Sequence, residues 1–470
     1  MQEHEWVLDE FNNIDLGDTR LNNRLTKITS QLFSASESSI PSACEGWTGA
    51  KACYRFFKNP KTDYMKILQE HRNKSLDRAG DVGTVLVIQD TTFINYANHH
   101  KTTGLGRIGK NIKADSSGLI MHSALALDAN GIPIGLLDQK IYARPFLQGL
   151  NSRNRHKTPI EDKESNRWLE SLRNSIHGVK NPSRLVTIAD READIYEFMF
   201  EIEKNKSNFL IRAIRNWPIN KRKKRSPSTG RIWEFMTNQN VIGHINTKVP
   251  KKNGNKERDV KLTVKVGTFS IHAPIRRRKE VLHDAKPIKI YAIYVQEVVG
   301  STPSGEKPIE WMLLTNIPTI NIEEALLRVK WYKFRWQIEL FHKILKSGYN
   351  IEKCRLSDAE RLKRYLTIIS INAFRILFIS NYQKKKNVDV NKVFSSDEII
   401  AIRLKGNIRK NKKLEMKDAV IIVAKMGGFF GRKSDATPGF ITIWRGMKKL
   451  SEIVETINMV KCRNKTCGYF

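Results

Sequence analysis

Asp90 and Asp190 each follow directly on a short apolar run, TVLVIQ and RLVTIA, that reads as a β-strand. A third acid, Glu339, lies far downstream in Trp331 to Lys346, WYKFRWQIELFHKILK. Read as one helix at about 100° per residue, this stretch puts Tyr332, Arg335, Glu339, Lys343 and Lys346 on one narrow stripe. Phe334, Ile338, Phe341 and Leu345 line the opposite side and can anchor the helix to a core. Taken alone, the helix reads more plainly as a solvated face with i,i+4 Arg–Glu and Glu–Lys pairs. The two upstream aspartates change the balance. Three carboxylates converging from two neighbouring strand ends and a helix suit a two-metal phosphoryl-transfer site, with hard oxygen ligands for Mg²⁺ or Mn²⁺. Two such ions about 3.5–4 Å apart activate an attacking hydroxyl and stabilise a departing 3′ oxygen. A carboxylate cluster without them would repel itself. Tyr332, Arg335, Lys343 and Lys346 can hold the flanking phosphates, Lys as a point charge and Arg as a fork.

The elements that must position these residues belong to a chain of 470 residues, enough for about two to four domains. It carries 82 Lys+Arg against 48 Asp+Glu, a formal net charge of +34. A compact protein of that charge repels itself, so a polyanionic partner is expected, and no apolar run approaches a bilayer span. DNA is therefore favoured over a membrane. The start, MQEHEWVLDEF, is acidic where a signal peptide is basic, and the five cysteines do not form a disulfide framework. Cys462 and Cys467 read as free thiols, and the expected location is the cytoplasm, beside the nucleoid.

Residues 1–70 read as a helical, basic domain. Asp18 is a helix N-cap ahead of Leu21, Leu25, Ile28 and Leu32, with Arg20, Arg24 and Lys27 away from that face. TGAKACYRFFKNP sets Arg55 among aromatics and ends at Pro60. Such a pair suits phosphate and groove contact, or forms ordinary surface helices. From Gly83 the pattern is β. Three strands form a meander, with Asn130-Gly131 as a hairpin turn. A helix near 161–176 and a fourth strand follow, the order of a ribonuclease-H-like sheet in which the first and fourth strands are neighbours. Asp90 and Asp190, 100 positions apart (190 − 90), would then lie side by side. A β-rich insertion at about 215–310 includes the basic runs NKRKKRSPSTGR and APIRRRKE, solvated loops or DNA contacts. The expected class is α/β: a ribonuclease-H-like core over 71–375, a mixed sheet flanked by helices, with that insertion. Residues 376–470 form a helical C-terminal domain. Its last helix carries Trp444, Met447, Ile453 and Val454 as a stripe for dimerisation or for capping the parent domain.

The spacing Tyr332-x2-Arg335-x3-Glu339-x6-Lys346 resembles the Tyr-Arg-Glu-Lys signature of DDE transposases of the insertion-sequence-four family, in the branch of transposon five. Asp90-Thr91-Thr92, Asp190-Arg191-Glu192-Ala193-Asp194-Ile195, Trp311-x-Leu313-Leu314-Thr315 and Arg335-Trp336 with Phe341-His342-Lys343 also match. So do Leu16-Gly17-Asp18 with Arg20, Tyr54-Arg55-Phe56 and Ala424-Lys425-x-Gly427-Gly428-Phe429, so the resemblance spans nearly the whole chain in order. It implies that Asp90, Asp190 and Glu339 bind two Mg²⁺ ions, with Mn²⁺ able to substitute. It also implies that Arg212 lies near the flipped-out region of the transposon end, and that Trp311 supplies a pocket for an extruded base on the way to a DNA hairpin. By the same resemblance Arg20, Arg24 and Arg55 help read the end, and the C-terminal helices pair two subunits that act in trans. The partners implied are double-stranded DNA, as transposon ends and target, and a second copy in the synaptic complex.

The residues leave plainer alternatives. Arg212 can pair with an acid, Trp311 can be core, Trp336 can be core or stack on DNA, and Glu192 and Asp194 compete with Asp190 as ligands. Beside a cut-and-paste transposase stand a structure-specific nuclease on the same fold and a catalytically silent DNA-binding regulator of transposition.

Overall fold

The computed structural model describes residues 3–35, 39–44, 46–80, 82–109, 116–144, 158–219, 230–249, 257–274, 286–298, 300–383, 389–432, 435 and 437–466. Most of both basic runs, and Cys467, lie outside the described residues, as does the side chain of Cys462.

In chain order the helices α1 (Glu5–Glu10), α2 (Thr19–Ser34), α3 (Ile40–Ala43), α4 (Trp47–Lys58) and α5 (Tyr64–Ala79) come first. They are followed by strands β1 (Val85–Asn95), β2 (Gly106–Arg107), β3 (Ser117–Asp128) and β4 (Pro133–Tyr142). Helices and strands then alternate through α6 (Asn166–Ile176), β5 (Leu185–Ala189), α7 (Tyr196–Lys204), β6 (Asn208–Arg212) and α8 (Ile232–Thr237). Strands β7 (Val241–Val249), β8 (Arg258–Ile271), β9 (Ile288–Glu297) and β10 (Glu310–Thr315) precede α9 (Ile322–Lys333) and α10 (Trp336–Lys343). The chain closes on α11 (Ala359–Tyr382), α12 (Ser396–Lys405), α13 (Met416–Met426) and α14 (Phe440–Thr466). Two compact units result, one of Met1–Gly80, Thr91–Gly149 and Gln337–Phe470, the other of Asp81–Asp90 and Leu150–Trp336.

The second unit is built on parallel strands β1, β5 and β6, continued by antiparallel β10, β9, β8 and β7. Val85 to Gln89 and Leu185 to Ala189 are buried throughout, the unbroken apolar pattern of strands covered on both faces. The insertion does not form a separate sheet. β10 pairs with β6 on one side and β9 on the other, so the inserted strands extend the same sheet. Trp168 of α6 packs edge-on against Phe198 of α7, ring centroids 6.1 Å apart.

In the first unit β3 and β4 form the expected hairpin, and Gly131 at the turn has φ +84°, a conformation glycine adopts without strain. β3 pairs antiparallel with β4, and β5 runs parallel to both β1 and β6, the strand pairings of a ribonuclease-H-like core. Asp18 caps α2 by accepting the Arg20 N–H, and Leu25, Ile28 and Leu32 are buried behind it, with Leu21 half-buried. The long α11 runs through this unit, and its Arg364 donates to the carbonyls of Thr62 (2.6 Å) and Phe57 (3.1 Å). Glu10, His71 and Arg78 make a buried network: Glu10 accepts from His71 Nδ1 (2.5 Å) and Arg78 Nη1 (2.8 Å), and His71 Nε2 accepts the Leu136 N–H (3.0 Å). That last bond requires a neutral ring, in keeping with the burial that lowers its pKa.

Two expectations are corrected. Trp331 to Lys346 is not one helix: α9 starts earlier, at Ile322, and ends at Lys333. Phe334 and Arg335 close a tight turn by donating to the carbonyls of Trp331 and Tyr332, both at 3.0 Å, before α10 starts. A π-turn over Ile344–Gly348 ends the segment. The single stripe of five residues is therefore interrupted after Tyr332. The second correction concerns Asp90, which does not end its strand. β1 runs on to Asn95, and what ends near Asp90 is the stretch paired with β5, beyond which continuous burial gives way.

Candidate active site

Four consecutive pairs set the register between β1 and β5: Val85 with Leu185, Leu86 with Val186, Val87 with Thr187 and Ile88 with Ile188. The offset is 100 throughout (185 − 85), and carried on by two residues it sets Asp90 opposite Asp190. Neighbouring strands run about 4.8 Å apart, so in that register the two acids would be neighbours at the ends of the paired stretch. Asp190 is fixed by its own turn, where its Oδ1 accepts the Glu192 N–H at 2.9 Å. Asp90 faces a cation: Arg335 Nη1 stands 3.7 Å from its Oδ2, both side chains about one-fifth exposed (20%).

The turn between α9 and α10 carries this Arg335. Tyr332, one turn before it, is buried, and its hydroxyl is hydrogen-bonded to Arg335 and to Arg212 at the end of β6. Burial raises the Tyr332 pKa, against the pull of the two guanidinium groups, and nearby Asp190 acts in the same upward direction. The phenol therefore stays protonated and neutral. Arg212 also donates to the Glu310 carbonyl at 2.8 Å, and its partners are thus a phenol and a backbone oxygen rather than an acid. Trp311, half-buried on β10, packs edge-on against Tyr332 with centroids 5.9 Å apart. The second unit thus gathers Asp90, Asp190, Arg212, Trp311, Tyr332 and Arg335.

The rival acids after Asp190 have other partners. Asp194, 1% exposed, accepts from the backbone of Ile214 (2.8 Å) and Arg215 (2.7 Å) and from Trp217 Nε1 (2.6 Å). Glu192 pairs with Arg167 at 2.9 Å.

Glu339, Lys343 and Lys346 belong to the first unit. Glu339 is half-buried on α10, whose Ile338 and Phe341 are buried. Lys343 is exposed, with Nζ 5.7 Å from the centre of the Phe440 ring, and Lys346 lies in the π-turn 4.0 Å from Glu352. Burial holds His342 in the neutral form, its pKa drawn down to about 3 with help from Lys346. Trp336 is 58% exposed, which removes it from the core. Among the described residues no three Asp, Glu, His or Cys side chains lie close enough together to hold a metal ion. In the N-terminal segment Arg55 is exposed, Arg24 half-buried, and Arg20, although exposed, is paired to Asp18 at 2.9 Å. Trp47, which its sequence context does not single out, is 75% exposed at the start of α4, about two turns before Arg55.

Three family models match the chain in succession. A transposase DNA-binding model covers residues 3–62, a transposase DDE domain covers residues 153–374, and a transposase Tn5 dimerisation domain covers residues 371–467. Asp90 lies ahead of the DDE match. The chain is also similar to a piggyBac transposase, solved by cryo-EM as a synaptic complex with hairpin DNA, at 10% identity and a TM-score of 0.33 over 92% of this chain and 74% of that one. That likeness is too distant to bear on mechanism. Among the described residues no helix is long and apolar enough to cross a membrane. With a DNA-binding segment, a catalytic segment and a dimerisation segment in that order, the chain belongs to the Tn5-like DDE transposases, enzymes of DNA cleavage and strand transfer.

Proposed function

We propose that this transposase works by cut and paste: it binds terminal inverted repeats, frees the element through a DNA hairpin and joins the 3′ ends to target DNA. The register of β1 on β5 is the observation that supports this reading, since carried on by two residues it would set Asp90 opposite Asp190. Two acids on adjoining parallel strands offer hard oxygen donors of the kind Mg²⁺ and Mn²⁺ prefer, so their chemistry fits a divalent ion. Asp90, Asp190 and Glu339 would hold two such ions. When bound, these would polarise the scissile phosphate and lower the pKa of the attacking hydroxyl.

The remaining residues bind and orient. Arg335 and Arg212, splayed about the Tyr332 hydroxyl, present two guanidinium groups to DNA phosphates, while Lys343 and Lys346 add point charges. Trp311 and Trp336 provide aromatic surface for a base that leaves the stack as the strand bends into a hairpin. Residues 1–70 read the end through Arg20, Arg24 and Arg55. Residues 71–375 carry the chemistry, and residues 376–470 pair two copies in the synaptic complex, each acting on the end bound by its partner, in the cytoplasm.

The test is cleavage of a duplex carrying the element's own end and flank, in Mg²⁺ or Mn²⁺, with Glu339→Gln as control. A nick at the element boundary that matures to a hairpin and disappears in the variant is the expected result. Cleavage indifferent to end sequence would indicate a nuclease, and binding without cleavage in either metal a regulator.

A further inference from the structure

The first unit holds a cavity of about 390 Å³ between α1, α5, α11 and the turn Val390–Lys392, lined by none of the residues given a role above. On α11 the i,i+4 spacing of Phe374 and Phe378 puts both rings on one face, with centroids 5.9 Å apart. Arg375 lies between them in sequence. Its guanidinium carbon stands 5.4 Å from the centre of the Trp6 ring on α1 and 5.6 Å from that of Phe378. The wall thus joins aromatic faces to a cation.

Most charges along this cavity are already matched. Glu10 accepts from His71 and Arg78, and Lys74 Nζ lies 3.2 Å from Asp9 Oδ1. Arg375 is different. Its Nη2 donates to the Val393 carbonyl, while its Nε is buried with no hydrogen-bond partner among the described residues. Burial lowers its pKa, and Glu398 and Glu10 oppose that shift through space alone, without a hydrogen bond. Lys392, exposed, lines the same cavity. Asp77 lines it too, but at an exposed position where water and salt screen its charge.

A guanidinium so placed gains from an anion, because burying a charge without a matched partner is costly. The rings around it favour a flat, apolar body on that anion. A cavity of this size admits one small molecule, whereas a duplex is too wide to enter it. We propose that this cavity binds a planar anion, an aromatic group carrying one phosphate or carboxylate. Arg375 and Lys392 meet the charge, and Trp6 and Phe378, both half-buried, pack against the ring. The bound molecule bridges α1 and α11 and stabilises their packing.

The test is calorimetry and saturation-transfer NMR on the whole chain with adenosine monophosphate, 1-naphthoate and adenosine as probes. At least one of the two anions is expected to bind at submillimolar concentration, and uncharged adenosine about ten-fold more weakly than the nucleotide. A response to the nucleotide alone identifies phosphate as the charge carried, and a response to naphthoate alone carboxylate. Arg375→Met is expected to weaken binding by about ten- to a hundred-fold, since charge-assisted hydrogen bonds are lost, and Arg375→Lys to keep part of it. Lys392→Ala, at an exposed position, should weaken it by about three-fold with the melting temperature of the free chain unchanged. A saturating anion should raise the melting temperature of the unsubstituted chain and not that of Arg375→Met. Should Arg375→Met fail to fold, Lys392→Ala decides alone. Neither anion binding at millimolar concentration, unchanged binding in either folded variant, or displacement of the probe by a duplex overturns the proposal.

Discussion

Asp190, Glu192 and Asp194 lie within five residues of one another, and their different surroundings separate their roles. Asp194 is buried under three N–H donors; burial raises its pKa, and those donors act against the rise. Asp194→Asn turns an acceptor into an amide that must point a donor at other donors, and is expected to destabilise the fold by about 2 kcal/mol or more. Glu192→Gln breaks only a half-exposed ion pair and should cost under about 1 kcal/mol. Denaturant unfolding of the two variants checks the contrast. Tyr332 presents a different case. Its hydroxyl faces two guanidinium groups at once, so Tyr332→Phe removes one contact from each and leaves Arg335 beside Asp90 and Arg212 on the Glu310 carbonyl. Single-turnover cleavage should fall by about ten-fold, with end binding barely changed, because the loss is of orientation at the reacting strand.

At the level of elements, what was legible followed from one-dimensional pattern. Alternation and turn chemistry showed the β3–β4 hairpin, Asp18 announced α2, and unbroken apolar runs marked the two strands ahead of the aspartates. The break between α9 and α10 was not legible, because no Gly or Pro marks it and the apolar positions fit a continuous helix across it. Tertiary partners decide it: Arg335 is drawn to the Asp90 carboxylate and the Tyr332 hydroxyl, and a single tight turn costs little beside those contacts. The exposure of Trp47 was equally hidden, since a tryptophan among Ala, Cys and Phe reads as core. Beyond the break, α10 buries His342, whose pKa burial lowers to about 3. His4, half-buried in the same unit and influenced also by Arg375, is lowered to about 4. In the unfolded chain both titrate near the ordinary value of about 6.5, so below that pH the unfolded state binds more protons. The stability these neutral rings contribute is complete above about pH 6.5 and is lost as pH falls toward their folded values. Thermal melting should accordingly weaken steadily from pH 7 to pH 4, and His342→Leu should flatten that dependence; an equally steep profile in the variant would assign it elsewhere.

Over the whole molecule, charge and association pull in opposite directions. A chain of +34 that carries a dimerisation segment must bring two like-charged bodies together, and at about 0.1 M salt screening reaches only about 10 Å. A bound duplex removes much of that repulsion, since each phosphate contact cancels a cation and releases a counterion. The matched dimerisation segment ends in α14, whose Trp444 and Met447 are buried, whereas Met459 and Val460 further along are 60% and 53% exposed. The expected outcome is a chain that is mainly monomeric without DNA at low salt and forms a two-to-two complex once a duplex carrying the element's end is added. Met459→Lys with Val460→Lys should hold the complex at one-to-one while leaving the affinity of each chain for its duplex unchanged. Light scattering with and without duplex measures all of these states. A dimer of equal strength in the absence of DNA would mean that contacts in the C-terminal segment outweigh the charge, and that pairing precedes end binding rather than following it.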